Sequence, residues 1–118
     1  MRPTKFANGF EGPYVRLIHD VSGTTYTFIA DDAQSYVRFT SGSAVTATIP
    51  NDAETVPALD IGKSIVLEQH GAGQVTIAAD THVTLHSAGA LVKTAAQYSV
   101  ITLQKTAANE WTMYGDRI

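Results

Sequence analysis

Ala44-Val45-Thr46-Ala47-Thr48-Ile49-Pro50 alternates strictly between apolar and hydroxyl side chains. A period of two puts Val45, Ala47 and Ile49 on one face of a strand and Thr46 and Thr48 on the other, and Pro50 has no N–H to give a ladder. The pattern recurs further along. Gln74-Val75-Thr76-Ile77-Ala78 turns Val75 and Ile77 inward, and His82-Val83-Thr84-Leu85-His86 does the same with Val83 and Leu85. Ser64-Ile65-Val66-Leu67-Glu68 and Ser99-Val100-Ile101-Thr102-Leu103 carry consecutive apolar residues, the mark of central strands. Helical spacing is nearly absent. The pattern predicts eight or nine strands from segments near 14–19, 24–29, 35–40, 44–49, 63–70, 74–78, 82–87, 91–93, 97–105 and 110–115. Ser22-Gly23, Ser41-Gly42-Ser43, Gly71-Ala72-Gly73, Ala88-Gly89-Ala90 and Ala108-Asn109 divide them, and are expected to supply the positive φ of tight connections. Asn51 to Asp60 is the longest interruption, expected as an exposed loop or a single helical turn. Short strands joined by Gly-rich turns predict an all-β fold, an antiparallel β-sandwich or small β-barrel of jelly-roll-like form.

The 118 residues suit one such domain, assigned to residues 14–118. Residues 1–13 differ in kind. Pro3, Gly9, Gly12 and Pro13 deny them regular structure, while Phe6 and Phe10 offer two apolar anchors, so an extended N-terminal arm is expected. Such an arm either packs back on its own domain or lies along a neighbouring subunit, and the second is favoured. Eight Lys and Arg against eleven Asp and Glu leave a net charge of −3, which gives no basic field for nucleic acid. The chain has no cysteine, which excludes disulfides, thiolate metal sites and cysteine nucleophiles. No apolar run is long enough for a membrane helix and no secretory leader opens the chain. The charged fraction of 16% is low for a globular domain. It hints that much of the surface meets other protein.

Catalytic patterns are scarce. His19 and Asp20 adjoin, but strand neighbours point to opposite faces, so the pair forms no dyad and His19 reads as a surface histidine. His82 and His86 share a strand face at roughly 13 Å, too far apart for one metal ion. Asp31-Asp32 reads as a turn or cap pair, and the spacing of a calcium loop is missing. Gly71-Ala72-Gly73 lacks the Lys-Ser/Thr of a phosphate loop. Trp111 shares a face with Met113 and is expected in the core rather than as a binding platform. The five tyrosines are scattered, without ladder spacing. No paired carboxylates identify a depolymerase. The residues therefore point to no enzyme, no metal site and no cofactor.

The order of segments says more than any one of them. Phe28-Ile29-Ala30-Asp31-Asp32-Ala33 is followed by Val37-Arg38-Phe39-Thr40, Ala44 to Pro50, Ile61-Gly62-Lys63-Ser64-Ile65, Gly71 to Ile77, Val83-Thr84-Leu85, Gln97-Tyr98-Ser99-Val100, Glu110-Trp111 and Gly115-Asp116. This succession, over about residues 24–117, resembles a small β-domain that recurs in tailed-bacteriophage virion proteins, both tail-fibre-like and head-associated. The motifs of that family are structural, so the resemblance brings no active site. It implies a virion protein made in the host cytoplasm and placed on the capsid surface. A short chain without shaft or adhesin segments is expected to be a capsid decoration (cement) protein, a homotrimer bound to the major capsid protein lattice. Phe6, Phe10, Arg2 and Lys5 of the arm are then the candidate partner contacts. The alternative is a small tail-fibre or head-fibre component that binds a host-surface glycan.

Overall fold

Alternating apolar and hydroxyl side chains become strand where a buried surface receives one face. The computed structural model of the chain describes residues 15–54 and 59–118. Nine strands occur among them: β1 Leu17–Val21, β2 Thr25–Thr27, β3 Ser35–Phe39, β4 Val45–Ile49, β5 Ser64–Gln69, β6 Val75–Ala79, β7 Thr84–Ser87, β8 Val100–Ala107 and β9 Glu110–Gly115. Two 3-10 turns, Ala30–Gln34 and Ala88–Ala90, complete the elements. The segment expected near 91–93 contributes only a bridge from Lys93 to Thr76. The expected arm, with Arg2, Lys5, Phe6 and Phe10, lies outside the described residues.

The first six strands fall alternately in two sheets. One sheet has six strands in the order β1-β3-β5-β8-β9-β7, and the other has three, β2-β4-β6. Each of the pairs β1–β2, β3–β4 and β5–β6 is thus one coil of chain, and the coils stack. Leu17 stands beside Ser35, 18 residues on, and Thr25 beside Thr46, 21 residues on. The next step is 30 residues in both sheets, Tyr36 to Val66 and Val45 to Val75, because fourteen residues, 50–63, separate β4 from β5 in the chain.

The antiparallel, jelly-roll-like pairing expected from the sequence is corrected by these ladders. Five of the seven are parallel, and only β5–β8 and β8–β9 are antiparallel. Parallel neighbours need a long crossover. In the four ladders among β1 to β6 the crossover runs through a strand of the opposite sheet, whereas between β7 and β9 it runs through β8 of the same sheet. Alternation reports which face of a strand is buried and is silent about the direction of its neighbour.

Inward side chains from both sheets meet in one core. Val37, Phe39, Ile65, Leu67, Ile101, Leu103, Trp111 and Met113 come from the larger sheet, and Val45, Ala47, Ile49, Val75 and Ile77 from the smaller, all at most 3% exposed. Tyr26, Phe28 and Phe39 fill the first coil edge to face, with ring centroids 5.5–6.3 Å apart. Stacking also explains two glycines. A Cβ on Gly73 would lie 1.9 Å from the Ser43 carbonyl oxygen, and one on Gly71 would lie 2.3 Å from that of Ser41. Close approach of one turn to the turn beneath it demands glycine there. Positive φ, the expected reason, holds at Gly89, Ala90 and Asn109 but not at Gly71 or Gly73, and Gly62 and Gly115 adopt it as well.

The excursion after β4 is tied back by a buried cation. Lys105, on the inner face of β8 and 2% exposed, donates from Nζ to Asp52 Oδ1 and to the Leu59 carbonyl, both at 2.6 Å. Asp52 is held in turn by Asn109, whose backbone N–H donates to Oδ2 at 3.1 Å and whose side-chain oxygen accepts from the Asp52 N–H at 2.7 Å. The interruption, expected as an exposed loop or a single helical turn, opens on a turn closed by the Glu54 N–H to the Asn51 carbonyl at 3.1 Å and is partly buried, with Asn51 and Leu59 inside.

Candidate functional site

The parallel register sets the outward residues of the six-stranded sheet in rows. One row runs Ile18, Tyr36, Val66, Thr102, Tyr114 across five strands, and the next runs Asp20, Arg38, Glu68, Val100. A third holds Ser64, Gln104, Thr112 and His86. The result is a broad β face carrying aromatic, aliphatic and hydroxyl groups.

Its charges are tied to one another. Arg38 donates to both carboxylate oxygens of Asp20, at 2.7 and 2.9 Å, and this guanidinium holds the Asp20 carboxyl below its ordinary range. Tyr36 donates to Glu68 Oε1 at 2.6 Å, and His70 Nδ1 lies 2.9 Å from Glu68 Oε2. The hydroxyl of Tyr36 and then His70 lower the Glu68 pKa. Burial, and then the same bond, push the Tyr36 phenol up to about 12. The ring of Tyr98 meets that of His70 edge on at 5.6 Å. A partner laid on this face would not have to desolvate an unpaired charge.

The smaller sheet turns a second face outward. Thr25, Thr46 and Thr76 stand in one row and Thr27, Thr48 and Ala78 in the next. These are the hydroxyls that the alternation of Ala44 to Pro50 predicts on the wet side.

Residues singled out for chemistry fall as follows. His19 and Asp20 do not form a pair: Asp20 points outward to Arg38, whereas His19 Nδ1 lies 3.2 Å from Asp32 Oδ1. Asp32 is buried and also accepts from the Tyr26 hydroxyl and the Ile29 N–H, each at 2.8 Å. The expected cap role of the Asp31-Asp32 pair is therefore filled by Asp32, which also joins β1, β2 and the first 3-10 turn. His82 precedes β7, and His86 pairs with Glu110 at 3.0 Å. Trp111 lies in the core. Among the described residues no three His, Cys, Asp or Glu side chains gather as metal ligands, and no helix is long and apolar enough to cross a membrane. A hollow of about 220 Å³ borders Asp31, Gln34, Asp60 and Lys63, and a groove of about 490 Å³ follows β7 past Leu85, His86, Val92 and Thr112. In the groove His86 Nε2 is engaged by Glu110 and Ser87 Oγ donates to the Leu91 carbonyl.

The outward rows of Tyr36, Arg38, Glu68 and Tyr114 escape a reading based on single strands. A signal for them exists. Val37 to Ile49 and Leu67 to Ala79 repeat the same order, strand, Gly-containing turn, strand, at the 30-residue step seen in the ladders. Compared with known proteins, the chain matches no protein-family model, no curated protein and no solved structure.

Proposed function

We propose that this protein is a non-enzymatic structural component of a tailed-bacteriophage virion, a decoration protein that binds the major capsid lattice on the particle surface as a homotrimer. Its two sheets are taken as the layers of a β-sandwich whose outer faces make the contacts. The observation that carries the proposal is the outer face of the six-stranded sheet, where Tyr36, Val66, Val100, Thr102 and Tyr114 surround charges already paired with one another. Interfaces between proteins favour tyrosine and arginine and disfavour loose charge. The ordered segments from Val37 to Asp116 that resemble virion β-domains supply the setting. The mechanism is linkage. A protein that binds only the assembled shell stabilises it by RT ln(1 + [L]/Kd) at each site, and repetition multiplies the effect.

Arg2, Lys5, Phe6 and Phe10 are proposed as further contacts to the shell. Counting copies per purified particle by gel densitometry tests the reading. Hundreds of copies agree with a shell protein, and particle occupancy should fall when residues 1–12 are deleted. A few to a few dozen copies would replace it with the fibre component. That second reading is favoured by one observation, the unpaired outer edges of β1 and β2 among the described residues, because a stack of coils can be continued by a preceding coil.

A further inference from the structure

The two ends of the coil stack are finished differently. At the C-terminal end, β8 and β9 extend the larger sheet, and residues 92–94 close the smaller one through the bonds from Ile77 N–H to the Val92 carbonyl and from Thr94 N–H to the Val75 carbonyl, 2.9 and 3.0 Å. At the other end, among the described residues, both sheets stop at edge strands, β1 and β2. There Val15, Leu17, Ile18 and Ile29 are 74%, 67%, 61% and 49% exposed. Such a concentration of large apolar side chains beside two edge strands is what globular proteins otherwise avoid.

We propose that another copy of this chain covers this end, the open ends of the copies facing one another. Two arguments select that partner. Even the smallest cross-section of the molecule, 30 by 26 Å, measures on the order of 600 Å², so a pair of end faces of that size buries about 1,200 Å² in total, the lower end of stable specific interfaces. Like-with-like contact also sets identical charges near each other, and here they are engaged within each copy. Asp20 is held by Arg38, while Arg16 donates to the carbonyls of Ala33 and Ser35 and to Ser64 Oγ at 3.3, 3.1 and 2.9 Å. Head-to-tail stacking would bring β1 against the free edge of β7 but would leave β2 facing the closed edge of β6.

The inference rests on the homo-oligomer part of the function proposed above and not on its virion setting. Sedimentation equilibrium of the full chain, compared with copy number on particles, therefore separates failure of one from failure of the other. The expected result is a mass two or three times 12.6 kDa at micromolar concentration. Leu17→Lys and Ile18→Lys should weaken association by about 100-fold or more, with circular dichroism unchanged, and Ile61→Ser, at an exposed position between β4 and β5, should not. Val15→Lys lies outside the strands and gives the same reading if a strand variant fails to fold. A wild-type mass of 12.6 kDa at about 100 µM, or an oligomer indifferent to all three lysine variants, would overturn the proposal.

Discussion

The first coil and the C-terminal cap are built from the same strand chemistry and finished in opposite ways. β9 sits between β8 and β7, and its inward Trp111 and Met113 are fully buried. Among the described residues β1 has one neighbour, and Leu17, at an inward position opposite Ser35, lies beyond the reach of the core and remains exposed. Burial, rather than strand propensity, separates the two regions. Apolar side chains in the cap hold the fold together, whereas Leu17 and Ile18 of the first coil are left exposed to hold something else.

Substitutions at the two ends should differ most. Trp111→Ala should destabilise by about 3–5 kcal/mol, since it empties the cap, whereas Leu17→Ala in dilute protein should change stability by less than about 0.5 kcal/mol. Urea titration of both variants checks this, and equal losses would break the contrast. Between the ends, Gly73→Ala forces a Cβ against the Ser43 carbonyl and should cost about 3 kcal/mol, read as a lower melting temperature. Lys105→Met removes the ammonium that holds Asp52 and the Leu59 carbonyl. A loss of about 2 kcal/mol is expected, below that for a fully enclosed pair because Asp52 keeps some contact with water. Limited proteolysis after Asn51 should quicken in the same variant.

The smallest effect belongs to the outer face and appears only in acid. Glu68 has a folded-state pKa below its ordinary 4.5, mainly through the Tyr36 hydroxyl and then His70. Its contribution is therefore complete above about pH 4.5 and is lost as pH falls through the depressed value. Glu68→Gln should flatten the fall in melting temperature over that window. An unchanged acid profile would mean that the network on this face is not coupled to folding.

Much of this was legible in the sequence, and the limits have physical causes. Val45, Ala47 and Ile49 are buried and Thr46 and Thr48 are not, because a period of two fixes the face of a strand. Ser64–Gln69 and Val100–Ala107 are central strands, as their consecutive apolar residues required. Strand direction was not legible, since Val66 satisfies the pattern equally beside a parallel Tyr36 and an antiparallel Thr102. Neither was the pairing of His19 with Asp32, which depends on the coil bringing residues 13 apart in the chain together. Gly71 and Gly73 were recognisable as turn residues, while their reason, the carbonyls of Ser41 and Ser43 beneath them, belongs to the stack.

Amide hydrogen exchange of the full chain, followed by strand and at several protein concentrations, tests the difference between the two ends most directly. In dilute protein, protection should be greatest in β5, β8 and β9 and least in β1 and β2. It should rise in β1 and β2 alone as concentration increases. Protection of β1 and β2 equal to that of β8 in dilute protein, or no response to concentration there, would contradict an open first coil that another copy completes.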